Sequence, residues 1–196
     1  MQRRLFLKRE AASFNVRREG IRFVYWLITG AITAVLIVID QLTKLAAVRH
    51  LAPVGASAIS LWDGVLEFTY VENHGIAWGM LQNQRWIVTV GTSIMLLFVL
   101  FVLIKRWFAH SRLATAGLLM IFAGGIGNLI DRIVNGYVVD FIHYYKWFDF
   151  PVFNFADCCI SIGAVVVLIY AFFFSEAKGE TADGTVPCEN DCGTDG

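Results

Sequence analysis

The chain has 196 residues, 57% of them hydrophobic and only 16% charged, where a soluble domain carries roughly a quarter charged residues. Its mean hydropathy of +0.61 excludes a disordered chain and disfavours an ordinary soluble globule. Sixteen Lys and Arg balance sixteen Asp and Glu, so no net positive field gathers phosphates and nucleic acid is not an expected partner.

Residues 1–22 form a basic arm, with seven Lys or Arg against Glu10 and Glu19. An uncharged run of 17 residues then separates Arg22 from Asp40. Three more runs follow: 19 residues between Arg85 and Lys105, 18 between Arg112 and Asp131, and 18 from Cys158 to Ser175. At about 1.5 Å per helical residue each run approaches the thickness of a bilayer's hydrocarbon core. Helices also satisfy their own backbone polar groups, as lipid requires. No run has the polar stripe of a soluble bundle helix. The expected fold is therefore an all-α integral membrane domain over 23–175, with spans at about 23–40, 86–104, 113–130 and 157–175. The first run is longer than a cleavable leader's core and is read as a retained helix.

Charge orients these spans. The arm and the short link holding Lys105, Arg106 and Arg112 are expected to be cytoplasmic. With an even number of spans, the tail 176–196 is cytoplasmic too, and its polar, acidic composition reads as disordered. Cys188 and Cys192 lie in that tail as one pair without a second, too little for a zinc site. Cys158 and Cys159 are expected to pack as small apolar residues of the last span.

The segments 41–85 and 131–157 are then exterior. In 65–73, Leu66, Phe68 and Tyr70 alternate with Glu67, Thr69 and Val71, which predicts a short strand with one wet face. The notable polar residues all map to this side: Asp40 and Lys44 at the end of the first span, Asn73 in the loop, Asn128, Asp131 and Arg132 at the end of the third, Asp140 in the second exterior segment, and Asn154 and Asp157 at the start of the fourth. Ionisable groups at membrane depth are costly and mark functional sites.

Zinc-peptidase, serine-hydrolase and phosphate-loop motifs are absent from the sequence. His50, His74, His110 and His143 are not spaced as helix-borne metal ligands, and His74 and His143 read as interfacial. The carboxylates are better candidates. Asp140 lies in an apolar context, which disfavours its ionised form, whereas Asp157 opens a span, where the helix dipole favours negative charge. Brought together, the two would share one proton, the arrangement of an aspartic protease. Structural readings stand beside this one. Asn154 and Asp157 have the spacing of a helix cap and its third residue. Asp40 and Lys44 have that of an ion pair on one helical face. Gly124, Gly125 and Gly127 suit close helix packing. Spacing alone leaves these alternatives open.

Five blocks carry a resemblance: DQLTK (40–44), NHGIAWG (73–79), GGIGNLIDR (124–132), VVDF (138–141) and PVFNFAD (151–157). In this order the chain resembles the bacterial lipoprotein signal peptidases, also called signal peptidase II, over about residues 22–175. The resemblance implies four transmembrane helices with a small exterior β-cradle, in the bacterial inner membrane. It implies a catalytic dyad of Asp140 and Asp157, with Asp40, Lys44, Asn73, Gly75, Asn128, Arg132, Asn154 and Ala156 lining the substrate groove or supporting the dyad. Asp131 is assigned a structural role. The implied substrate is a prolipoprotein whose cysteine carries a diacylglyceryl group, cut just before that cysteine, and the implied chemistry needs no metal or other cofactor. Beyond this substrate and membrane lipid no partner is implied; the oligomeric state is open, with a monomer expected. The family often has two alanines after the glycine of the second block, where this chain has Ile76 and Ala77. Two other functions fit parts of the pattern: an ion-coupled transporter, disfavoured because the acids sit at span ends without internal repeats, and a metal-dependent phosphotransferase with Asp131, Asp140 and Asp157 as ligands.

Overall fold

The computed structural model describes residues 2–52, 58–75, 80, 84–108, 111–147 and 150–174. The Ile76–Ala77 departure, His110 and the tail with Cys188 and Cys192 lie outside the described residues. The described residues form four helices: α1 (Gln2–His50), α2 (Arg85–Lys105), α3 (Arg112–Val134) and α4 (Phe155–Phe174). Each contains a segment long and apolar enough to cross a membrane. Large apolar side chains such as Phe98, Phe172 and Phe173 stand exposed along them, as lipid contact requires and water would not favour.

Two helix boundaries differ from expectation. The backbone of residues 2–22 continues α1 rather than forming a separate arm. At its other end α1 runs past Asp40 to His50, so Asp40 and Lys44 lie inside the helix. Charge does not end the helix because the two side chains pair four residues apart, at 2.9 Å, out of solvent.

α3 is the central helix, packed against α1, α2 and α4. Its contact with α4 depends on small residues: a Cβ on Gly163 would meet the Gly117 carbonyl at 2.5 Å. Such pairs let backbones approach where no hydrophobic force separates helix from lipid. On its other side Leu118 and Leu119 pack with Val99, Val102 and Leu103 of α2.

A three-stranded antiparallel sheet caps one end: β1 (Ile59–Trp62), β2 (Leu66–Asn73) and β3 (Val138–Tyr144), in the order β1-β2-β3. β2 is the strand expected from the period-two pattern, but its two faces are not simply wet and dry. Leu66 to Tyr70 are all half-buried, and Glu67 is covered by His143, at 2.9 Å across the β2–β3 pair. Val139 and Phe141 of β3 pack on Ala47 and Leu51 at the end of α1. This contact sets the sheet over the helix ends, and the register Val71↔Asp140 brings the segment after α3 alongside the one between α1 and α2.

Candidate active site

The polar residues singled out in the sequence meet where the sheet joins the helix ends. Asp140 projects from β3 and is almost fully buried. Its Oδ2 accepts from Asn73 Nδ2 at 2.9 Å, and its Oδ1 from Asn154 Nδ2 at 2.6 Å. Asp157, in the first turn of α4, accepts from Asn128 Nδ2 at 2.8 Å on Oδ1. Asn154 Nδ2 also donates to Asn128 Oδ1 at 3.1 Å. Two linked asparagines therefore bridge the two carboxylates.

The cap anticipated as a structural alternative is also formed. Asp157 N–H donates to Asn154 Oδ1 at 3.0 Å, and Asn154 N–H donates to Asp157 Oδ2 at 3.2 Å, a reciprocal capping box. Asp157 divides its oxygens: Oδ2 serves the cap and Oδ1 faces Asn128.

Behind this layer lies a buried ion cluster. Lys44 Nζ lies 2.9 Å from Asp40 and 3.0 Å from Asp131, with all three side chains no more than 4% exposed. It also donates to Asn128 Oδ1 at 2.9 Å. Asp40 Oδ1 accepts from the Ala156 N–H at 3.0 Å, and Asp131 Oδ2 from the Val139 N–H at 3.2 Å. One cation thus neutralises two acids that fasten α4 and β3 to the bundle. Gln41 completes the cluster by donating to Asp131 Oδ1 at 3.1 Å. Nothing in its sequence context distinguished Gln41 from a surface amide. Gly127 leaves room for the cluster, because a Cβ there would run into Asp40.

Asp140 feels this setting electrostatically. Burial foremost, and then the neighbouring Asp157, push its carboxyl up from 3.8 to about 7, against the opposing hydrogen bonds of Asn73 and Asn154 and the charge of Lys44.

A cleft of about 930 Å³ opens onto these groups. Asn73, Asn128, Arg132, Asp140 and Asp157 line it, whereas Asp40, Lys44, Gly75, Asn154 and Ala156 do not reach its surface. Arg132 Nη2 donates to the Gly75 carbonyl at 3.1 Å, and the Gly75 N–H donates to Asn73 Oδ1 at 3.0 Å, which ties the end of β2 to α3. The cleft continues between helices past Thr92 and Met95 of α2, Gly125 of α3 and Ile160 to Ile162 of α4. Cys159 is buried as expected. Cys158 instead faces the cleft, because it follows Asp157 on the exposed side of the first turn of α4. Asp131 is committed to Lys44, Gln41 and Val139 and does not line the cleft. The three-carboxylate metal site considered from the sequence is therefore not assembled, and among the described residues no three His, Cys, Asp or Glu converge.

Fold and site define a multi-pass membrane protein of four helices, with a carboxylate pair walled into a cleft at one end of the bundle. A family model described as Signal peptidase (SPase) II matches residues 32–173. The lipoprotein signal peptidase of Geobacillus thermodenitrificans is 40% identical over 153 residues, covering 78% of this chain and 91% of the relative. That of Geobacillus kaustophilus is 39% identical over 152 residues, covering 77% and 94%. A solved structure described as a bacterial membrane enzyme, determined by the in meso method at 2.3 Å, superposes with a TM-score of 0.68 at 29% identity, covering 78% of this chain and 92% of the other. The chain belongs to the signal peptidase II family, whose members cleave signal peptides from prolipoproteins.

Proposed function

We propose that the cleft is the active site of a metal-independent aspartic endopeptidase, with Asp140 and Asp157 as its dyad. The supporting observation is the bridging of both carboxylates by one pair of asparagines at the wall of a single cleft. A water molecule held between the carboxyls loses a proton to the ionised one while its oxygen attacks the scissile carbonyl carbon. The protonated partner donates to the carbonyl oxygen, giving a tetrahedral gem-diol without a free oxyanion. The C–N bond then breaks as the carboxyl that took the water's proton gives it to the departing amine, while the other carboxylate takes a proton from a gem-diol hydroxyl, releasing the carboxylic acid and restoring the one-proton pair. The titration belongs to the pair, which exchanges one proton through the cycle. Asn73, Asn128 and Arg132, which line the cleft, hold the substrate backbone and the dyad in register.

The substrate in this reading is a prolipoprotein already carrying diacylglyceryl on its cysteine, and the departing amine is that cysteine's. The apolar extension of the cleft between α2, α3 and α4 suits a chain that arrives sideways from the bilayer. By the distribution of Lys and Arg, the site faces the exterior of the bacterial inner membrane and both termini are cytoplasmic.

The test is incubation of purified enzyme with lipidated and unlipidated prolipoprotein, with and without excess chelator. Cleavage of the lipidated form alone, unaffected by chelator and lost in both Asp140→Asn and Asp157→Asn, is expected. Turnover by either variant, or its abolition by chelator, overturns the reading.

A further inference from the structure

At the membrane face opposite the dyad, α2 ends on Arg106, whose φ of 54° makes it the one residue other than glycine with positive φ among the described residues. Glycine adopts this left-handed conformation without steric penalty. The cap itself needs no side chain, because it consists of the Arg106 backbone N–H donating to the Leu103 carbonyl at 3.1 Å. The arginine side chain must therefore be accounted for separately.

That side chain crosses to α1 and places its guanidinium carbon 4.6 Å from the centre of the Tyr25 ring, within cation–π range. Its Nε is buried and meets no acceptor. No ion pair among the described residues involves Arg106, Lys105 or Arg112. The stretch 105–112, KRWFAHSR, contains no acid. Lys105 lies over Phe101 at 5.6 Å, and Trp107, more than half exposed, meets the edge of the same ring. A buried N–H left without an acceptor is costly, and this half-buried guanidinium has no carboxylate partner among the described residues. Here the surroundings are interfacial aromatics and further cations at the end of two spans, the level at which a bilayer presents phosphate.

We propose that Arg106, at the head of a link that also carries Lys105 and Arg112, forms a binding site for the headgroup of an anionic phospholipid between α1 and α2. The phosphate accepts from the guanidinium in the fork geometry that arginine offers, while Tyr25 and Trp107 flank the glycerol and upper acyl carbons. The inference does not depend on the assignment of the dyad.

The side chain and the backbone strain can be separated experimentally. Arg106→Gly relieves the left-handed conformation while deleting the guanidinium, and Arg106→Gln deletes the charge while keeping most of the bulk. The full-length protein and both variants are purified in neutral detergent and titrated with phosphatidylglycerol, phosphatidylcholine or inorganic phosphate. Bound lipid is read by native mass spectrometry and protection by thermal unfolding. Wild type is expected to retain phosphatidylglycerol over phosphatidylcholine and to be protected by it. Both variants should bind it about tenfold more weakly, the loss of one charge-assisted contact, while Arg106→Gly without anionic lipid melts no lower than wild type. Equal protection of wild type by both lipids, protection by inorganic phosphate alone, or undiminished phosphatidylglycerol binding by either variant would overturn the site and leave Arg106 as a counter-charge to the end of α2.

Discussion

Replacing Asp140 by asparagine should stabilise the protein while abolishing cleavage, and the gain should grow with pH. The carboxyl is 1% exposed and is raised from 3.8 to about 7. A carboxyl with a higher pKa folded than unfolded holds its proton more tightly in the folded state. Its contribution to stability is therefore complete below pH about 4 and is lost as pH rises through about 7. A difference of roughly three units corresponds to about 4 kcal/mol across that window. Asparagine cannot ionise and escapes this loss. It returns part of the gain, because Asp140 accepts from an amide on each oxygen and the new side chain keeps only one acceptor. One hydrogen bond exchanged for a facing pair of donors costs about 1–2 kcal/mol, which leaves a net gain of about 2 kcal/mol at pH 8. Unfolding in neutral detergent at pH 5, 6.5 and 8, with cleavage measured in parallel, tests this. An Asp140→Asn variant less stable than wild type at pH 8, or a difference that does not widen from pH 5 to pH 8, would refute the burial argument.

Asn154→Ser keeps a side-chain acceptor for the α4 cap but removes the donor to Asp140. Because Asp140 is the carboxyl raised to about 7 beside an ionised Asp157, the alkaline limb of the pH–activity profile should move about one unit to higher pH; a limb at the wild-type position would count against Asn154 as a support of Asp140. Lys44→Met leaves Asp40 and Asp131 buried without their cation and should cost about 3–5 kcal/mol in detergent unfolding, so near-wild-type stability would show that the cluster is not ionic. A single cysteine at position 110, in a background without the native cysteines, should react with a membrane-impermeant maleimide only after cells are opened; labelling of intact spheroplasts would invert the topology.

The spans were legible because lipid admits only long uncharged helical runs, and the loops carry the charges that interrupt them. Their ends were less so. Asp40 looked like a boundary, yet α1 continues ten residues to His50 because Lys44 neutralises it within the helix. β2 was visible through alternation, whereas β1 was not: all four of its residues are exposed and its sequence, ISLW, carries no period. The gathering of distant polar residues at one end was also legible, since each was placed there by span counting. Which of them line the cleft was not, because facing Asn128 or facing Asp131 on the same helix depends on rotation by less than a turn. Gln41 is not legible as a member of the cluster, because an amide beside an aspartate carries no signature until its partners on α3 are known.

The sequence posed the Asn154–Asp157 spacing as a choice between a helix cap and part of a catalytic pair; in the structure the cap is formed and the contacts of Asn154 with Asp140 and Asn128 depend on it. An asparagine side chain has one accepting end and one donating end. At Asn154 the cap fixes which is which: Oδ1 takes the Asp157 N–H, so Nδ2 must turn toward Asp140 and Asn128. At Asn128 the ammonium of Lys44 does the same, because it can only face an acceptor, and this forces Nδ2 toward Asp157. A helix terminus and a buried cation thus orient both amides before any substrate arrives, and both donors point at carboxylate oxygens. Donors fixed in advance need no reorganisation during reaction. The same atoms also close the first turn of α4 and join it to α3, so a substitution that turns either amide around should loosen the fold and misdirect the dyad together.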